Sequence, residues 1–212
     1  MNKQQEHLNN LSEIRSIMER SCRFISLSGL SGVFAGIFAL VGALIAFWYF
    51  DYEIYIPNYY DHIFTEQGNI KIVFLEFLFI NASCVLLLSI GFSIFFTTRK
   101  AKQKGLPVWD STAKRLVINL LIPLVTGGIF CLILLFHKEV YLLAPATLIF
   151  YGLALLNASK YTLKDIRYLG LSEIILGLAA SVFVGYGLVF WVVGFGLLHI
   201  IYGALVYYKY DR

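Results

Sequence analysis

The chain has 212 residues; 59% are hydrophobic and 14% charged, the mean hydropathy is +0.75, and the formal net charge is +4. Soluble domains are roughly 45–50% apolar and about 25% charged, so this chain has too few charges to clothe its apolar surplus in water. That excludes an ordinary soluble enzyme, a disordered chain and a nucleic-acid-binding domain. It leaves an all-α polytopic membrane protein, because a spanning backbone must satisfy its own polar groups.

Residues 1–26 are mostly polar and place Leu8, Leu11, Ile14, Ile17 or Met18, and Ile25 on one helical stripe. Glu6, Glu13, Arg15, Glu19, Arg20 and Arg23 fall mostly elsewhere, which predicts an amphipathic helix lying on the inner leaflet. A docking helix for a cytoplasmic partner is the alternative reading of the same pattern. Such a polar start does not fit a cleavable signal peptide, so the first apolar run is expected to be a retained span.

Six apolar segments follow, at about 27–50, 70–97, 116–136, 141–159, 168–184 and 189–208. Each approaches the roughly 20 residues that cross about 30 Å of hydrocarbon. The expected fold is therefore a six-transmembrane-helix bundle over 27–208, with a short cytoplasmic tail at 209–212. A membrane barrel would instead alternate in polarity every second residue, and these runs do not. Only His137-Lys138-Glu139 separates spans three and four, and Gly185-Tyr186-Gly187 separates five and six. Turns this short make antiparallel hairpins. The loop at 51–69 is acidic and rich in tyrosine, with turn signals at Pro57-Asn58 and Gly68-Asn69. It is too short for a domain, and a lid is one reading of it.

Lysines and arginines alternate between sides. Lys3, Arg15, Arg20 and Arg23 precede span one. Arg99, Lys100, Lys102, Lys104, Lys114 and Arg115 follow span two. Lys160, Lys164 and Arg167 follow span four, and Lys209 and Arg212 close the chain. Those fifteen of the seventeen basic residues fall on one side, and only Lys71 and Lys138 on the other. The positive-inside rule then puts both termini in the cytoplasm, as expected for a bacterial inner-membrane protein. The cluster Arg99, Lys100, Lys102 and Lys104, with Arg15, Arg20 and Arg23, is expected to contact anionic inner-leaflet lipid or a cytoplasmic protein, not nucleic acid. Trp48, Tyr49, Tyr52, Tyr55 and Tyr186 on one side, and Trp109, Tyr161, Tyr168 and Tyr208 on the other, suit headgroup depth.

Ser28, Gly32 and Gly36 in span one, and Gly177 and Ser181 in span five, recur every four residues. Such ridges let helices approach closely, inside one bundle or across a homo-oligomer seam. The match of Gly29-Leu30-Ser31 with Gly170-Leu171-Ser172 leaves a duplicated hairpin open. Pro123 and Pro145 are expected to kink their spans or free a carbonyl. Asn81, Asn119, Thr126 and Asn157 are expected to bridge helices, and Glu76 to snorkel.

Ionisable groups deep in a span need a reason. Glu173 lies just over one turn inside span five and His199 near the middle of span six. Folding these spans about Gly187 brings the two within about one turn in depth, and Gly177 would leave room for the imidazole. Glu173, His199 and Asn119 are therefore the candidate ligand or proton site; a hydrogen bond that fixes helix rotation is the alternative. Nucleotide, zinc-protease, CxxC and nucleophile-elbow motifs are absent, so no catalytic residue, cofactor or metal is expected. Cys22, Cys84 and Cys131 lack ligand spacing and read as packing residues.

The stretches Glu19-Arg20-Ser21-Cys22-Arg23-Phe24-Ile25-Ser26-Leu27-Ser28-Gly29-Leu30-Ser31-Gly32, Asn157-Ala158-Ser159-Lys160-Tyr161-Thr162 and Ile166-Arg167-Tyr168-Leu169-Gly170 resemble an uncharacterised family of small inner-membrane proteins of Bacteroidota. The resemblance implies no activity or site residues. Such families are often associated with small winged-helix regulators, which implies a signalling role. The expected function is a non-enzymatic sensory or regulatory membrane protein that acts through a cytoplasmic partner. A small proton-linked transporter or channel with a Glu/His centre is the alternative, and an intramembrane enzyme comes third.

Overall fold

The computed structural model describes residues 24, 27–49 and 63–211. The expected N-terminal helix, with Arg15, Arg20, Arg23 and Cys22, and most of the 51–69 loop lie outside those residues. The described chain is helical. α1 is Gly29–Tyr49, α2 Ile72–Gln103 and α3 Ser111–Phe136. α4 is Val140–Tyr161, an α-helix at Leu143–Ala158 with a 3-10 turn at each end. α5 is Asp165–Val182. α6 is Gly187–Asp211, with π-helical stretches at Val192–Leu198 and Tyr207–Asp211.

Among the described residues, five of these helices are long and apolar enough to cross a membrane: α1, α2, α3, α4 and α6. That makes the molecule a helical bundle consistent with a multi-pass membrane protein. α5 has 18 residues but carries Asp165, Arg167 and Glu173, which lowers its apolarity. The helix boundaries follow local chemistry. Asp110 caps α3 by accepting a hydrogen bond from the Ala113 N–H at 2.7 Å, satisfying a donor that the first turn leaves free. Gly105, at φ +63°, closes the chain after α2, and Gly185, at φ +100°, turns α5 into α6. Helix α6 does not end at 208; it runs on through Lys209, Tyr210 and Asp211, so those residues form a last turn, not a loose tail.

α1 packs between α2 and α6, and α4 packs between α3 and α5, which also meets α6. α2 and α3 are flanking helices. Only 6% of the apolar window of each is buried, with Leu86, Leu87 and Ile94 of α2 and Ile118, Ile122 and Val125 of α3 exposed. Apolar surface of that extent suits hydrocarbon, not water. Phe34 of α1 stacks on Phe92 and Phe96 of α2, with ring centroids 5.3 and 5.1 Å apart. The Asn81 amide donates to the Gly42 carbonyl at 3.1 Å and pins the same pair of helices.

The small residues do pack helices, though not all as expected. Gly32 and Gly36 of α1 face α6, where a Cβ on Gly36 would lie 2.7 Å from the Gly196 carbonyl oxygen. A Cβ on Gly203 would lie 2.5 Å from the Val33 nitrogen, so backbone meets backbone at this crossing and neither side can give way. Ser28 is different. Its hydroxyl donates to Asp211 at 3.0 Å, so it serves as a polar fastening, not a spacer. Gly177 does not leave room for His199. It faces α4, and a Cβ there would sit 2.9 Å from the Pro145 carbonyl oxygen. The Ser181 hydroxyl donates to the Gly177 carbonyl of its own helix at 2.9 Å. Pro145 falls in the first α-helical turn of α4, where its ring is tolerated, so it cannot kink mid-span.

The charge asymmetry of the sequence maps onto two ends of the bundle. At one end the Phe24 N–H donates to the Tyr161 carbonyl (2.7 Å), and the Thr162 hydroxyl donates to the Phe24 carbonyl (2.8 Å). Lys100, Lys104 and Asp211 meet at that end too. At the other end Ile63, Phe74 and Val140 form a small core, and Lys138 donates to the Gly68 carbonyl at 2.7 Å.

Candidate functional site

The buried polar centre is built by three helices. α5 supplies Glu173, α6 supplies His199 and Gly194, and α4 supplies Tyr151. Glu173 is fully buried and His199 is 5% exposed. The expected pair does meet: His199 Nδ1 lies 3.4 Å from a Glu173 carboxyl oxygen. The same Nδ1 is 3.0 Å from the Gly194 carbonyl oxygen, and Nε2 is 2.8 Å from the Tyr151 hydroxyl.

These partners assign the imidazole tautomer. A carbonyl only accepts, so Nδ1 carries the hydrogen; in the neutral ring Nε2 then accepts from Tyr151. Tyr151 and Phe195 wall the imidazole, with centroids at 5.3 and 5.8 Å from the His199 ring, and Trp191 packs on Phe195. Gly194 is indispensable to this geometry. A Cβ at that position would lie 2.5 Å from a Glu173 oxygen and 2.5 Å from the Leu148 side chain. The Val192–Leu198 stretch winds as a π-helix immediately before His199, and such segments occur mostly as single turns, frequently at functional sites.

Glu173 is the unusual member. Among the described residues neither of its oxygens has a hydrogen-bond partner, since the 3.4 Å approach of His199 is too long. An unpaired carboxylate in such surroundings is strongly disfavoured. Two arrangements relieve it: a neutral carboxyl beside a neutral imidazole, or a carboxylate beside an imidazolium. They hold the same number of protons and differ only in which side chain carries one of them, so the centre can keep that proton on either group.

Asn119 is not part of this centre. Pro123 has no N–H, which leaves the Asn119 carbonyl without its usual helical donor four residues on. The Asn157 amide supplies one at 2.9 Å, and the Asn119 amide itself donates to the Arg115 carbonyl at 2.8 Å. Asn157 therefore mends the proline gap that opens at Asn119 in α3.

Lys100 also departs from expectation. Arg99 and Lys102 are exposed, but Lys100 is buried, pairs with Asp211 and donates to the Leu27 carbonyl at 2.6 Å. It is an internal lock between the ends of α1, α2 and α6, not a lipid contact. Lys104 donates to the Tyr210 carbonyl at 3.2 Å. Beside this lock Asp165, at the start of α5, accepts from Lys209 at 3.0 Å and Tyr210 at 2.7 Å. Burial alone would push the Asp165 carboxyl up, but those donors outweigh it and hold it below its ordinary value.

Sequence reasoning missed Tyr151 and Gly194. Tyr151 carried a usable signal: it sits mid-span, away from the headgroup depth where tyrosines belong, and so required a buried partner. Among the described residues no group of three His, Cys, Asp or Glu side chains could hold a metal ion. No family model, no curated protein and no solved structure matches this chain.

Proposed function

We propose that the protein is a non-enzymatic sensory or regulatory protein of a bacterial inner membrane, and that Glu173, His199 and Tyr151 form its proton-responsive centre. In this reading α5 crosses the bilayer with the other five helices, both termini face the cytoplasm, and residues 1–26 lie on the inner leaflet. The observation that carries the reading is the fully buried Glu173 carboxyl, without a hydrogen bond among the described residues, beside an imidazole whose other nitrogen is held by Tyr151. A packing histidine alone would not need an acid at its back. Helix α6 links the centre to the basic end, since it carries His199 at its middle and Asp211 at its last turn. A change in protonation at His199 is thereby transmitted toward the surface that a cytoplasmic partner meets. The resemblance to small inner-membrane proteins associated with winged-helix regulators favours the same role.

The test is partner capture. A soluble protein should co-purify with the full chain, be lost on deletion of residues 1–25, and change its retention between about pH 5 and pH 8 in the native chain but not in Glu173→Gln. Capture that ignores both changes contradicts the reading. A small proton-linked transporter is the second reading, favoured by the π-helical interruption of α6 beside the centre, since transporters place sites at broken helices. Proteoliposome flux that depends on Glu173 would establish it over the first.

A further inference from the structure

We propose that an open groove between α3 and α4 is a binding site for one anionic phospholipid. The groove has a volume of about 450 Å³ and is lined by Pro123 and Thr126 of α3 and by Phe150, Leu153, Asn157 and Lys160 of α4. On α4 these positions recur at intervals of three and four residues, so they form one continuous face. From Phe150 to Lys160 the face rises about 15 Å, which is the depth of one leaflet's hydrocarbon, about half of 30 Å. The lining is graded: aromatic and aliphatic side chains at the deep end, amides and an ammonium at the boundary.

Pro123 lies in the wall of the groove. At this position the proline ring replaces a backbone donor, and the Asn157 amide fastens α4 to the freed Asn119 carbonyl at 2.9 Å. Deeper, Gly127 lets α3 close onto Phe150, where a Cβ would lie 2.6 Å from the ring. The groove lies beside the amide clamp and that close crossing. An acyl chain fits the deep apolar part, and Lys160 stands at its mouth, exposed, with its ammonium 3.3 Å from the Asn157 amide oxygen. Lys114 and Arg115 begin α3 at the same end. Positive charge at headgroup depth above a chain-deep apolar slot selects an anionic headgroup carrying an acyl tail, not a free anion.

The inference rests on the reading of α3 and α4 as membrane-crossing helices with Lys160 on the inner face. The experiment is native mass spectrometry of the detergent-purified full chain with phosphatidylglycerol, phosphatidylcholine of the same acyl chains, or glycerol 3-phosphate. The expected result is one retained phosphatidylglycerol, held about fivefold better than phosphatidylcholine, with no retention of glycerol 3-phosphate; fivefold is the effect of one lysine near an anionic headgroup. Lys160→Ala should abolish the preference while leaving the fold intact, because the side chain is exposed. Leu153→Trp, which fills the slot, should reduce retention of both lipids. Lys102→Ala is the control and should change nothing. Equal retention of both lipids, an undiminished preference in Lys160→Ala, or retention of glycerol 3-phosphate alone would overturn the proposal. Sidedness is read separately by an impermeant maleimide on Lys160→Cys in a cysteine-free background, so a wrong orientation and a wrong lipid site give different results.

Discussion

Among the described residues two acids with buried side chains contact basic partners, Asp211 and Glu173, and they are served in opposite ways. Asp211 ends α6 and accepts from three donors: the Lys100 ammonium, the Ser28 hydroxyl and the Gly29 N–H, the last two at 3.0 Å. Glu173 is more deeply buried, yet its oxygens accept nothing among the described residues. A saturated carboxylate is fixed in one charge state by its donors, whereas an unsaturated one beside an imidazole has two states close enough to exchange. The first arrangement suits a clamp and the second a proton site. Asp211 and His199 both lie on α6, so clamp and centre share one rod.

The largest effect should come from the clamp. Asp211→Ala leaves the Lys100 ammonium buried with one carbonyl partner, and removal of one member of a buried pair costs about 3–5 kcal/mol. Thermal unfolding in detergent should show that loss, and Lys100→Met in the same chain should restore much of it. If the single variant melts like the native protein, the clamp is an exposed surface pair and the contrast with Glu173 fails.

Next in size is Asn157→Ala. It leaves the Asn119 carbonyl without a donor beside Pro123, and a loss of about 1–2 kcal/mol is expected in the same assay. Asn157→Asp should not rescue it, because a carboxylate cannot donate. A smaller loss, about 0.6 kcal/mol, is expected for Tyr151→Phe, which removes only the hydroxyl held by His199 Nε2. Its sharper consequence is a change in the titration of His199, followed by the nitrogen shifts of labelled imidazole. An unchanged titration would separate Tyr151 from the centre.

The smallest effect lies at the exposed Asp165–Lys209 pair. The folded Asp165 carboxyl sits below its ordinary value, so the stability it lends is present above the ordinary carboxylate range and is lost as pH falls through the folded value. The acid limb of a melting-versus-pH curve should be slightly shallower in Asp165→Asn than in the native chain, because the variant has no such stability to lose. No change at neutral pH beyond that expected of a surface pair is anticipated.

How far the sequence reaches is shown by particular residues. Glu173 and His199 could be brought together before any coordinates, because helical rise and a tight turn at Gly187 fix depth, and depth is one-dimensional. Rotation about the helix axis is not fixed that way. Depth alone therefore puts Gly177 beside the imidazole, whereas Gly194, on α6 itself, takes that place. Asn119 shares with the centre only its polarity. Its actual role depends on Pro123 four residues later and on an amide from another helix, a pairing across helices that spacing within one helix cannot reveal. Lys100 looked like its neighbours in a basic cluster. What sets it apart is a last turn of α6 more than a hundred residues away, which brings Asp211 to it. Local chemistry such as the Gly185 turn is legible because it involves residues adjacent in the chain.

The most direct test of the account is the carbonyl stretch of Glu173 itself. Infrared difference spectra of the detergent-purified protein, recorded between about pH 5 and pH 8, should contain a protonated-carboxyl band that changes with pH. It should vanish in Glu173→Gln and move in His199→Ala. A spectrum in which no pH-dependent carboxyl band requires Glu173 would contradict the proposed proton centre.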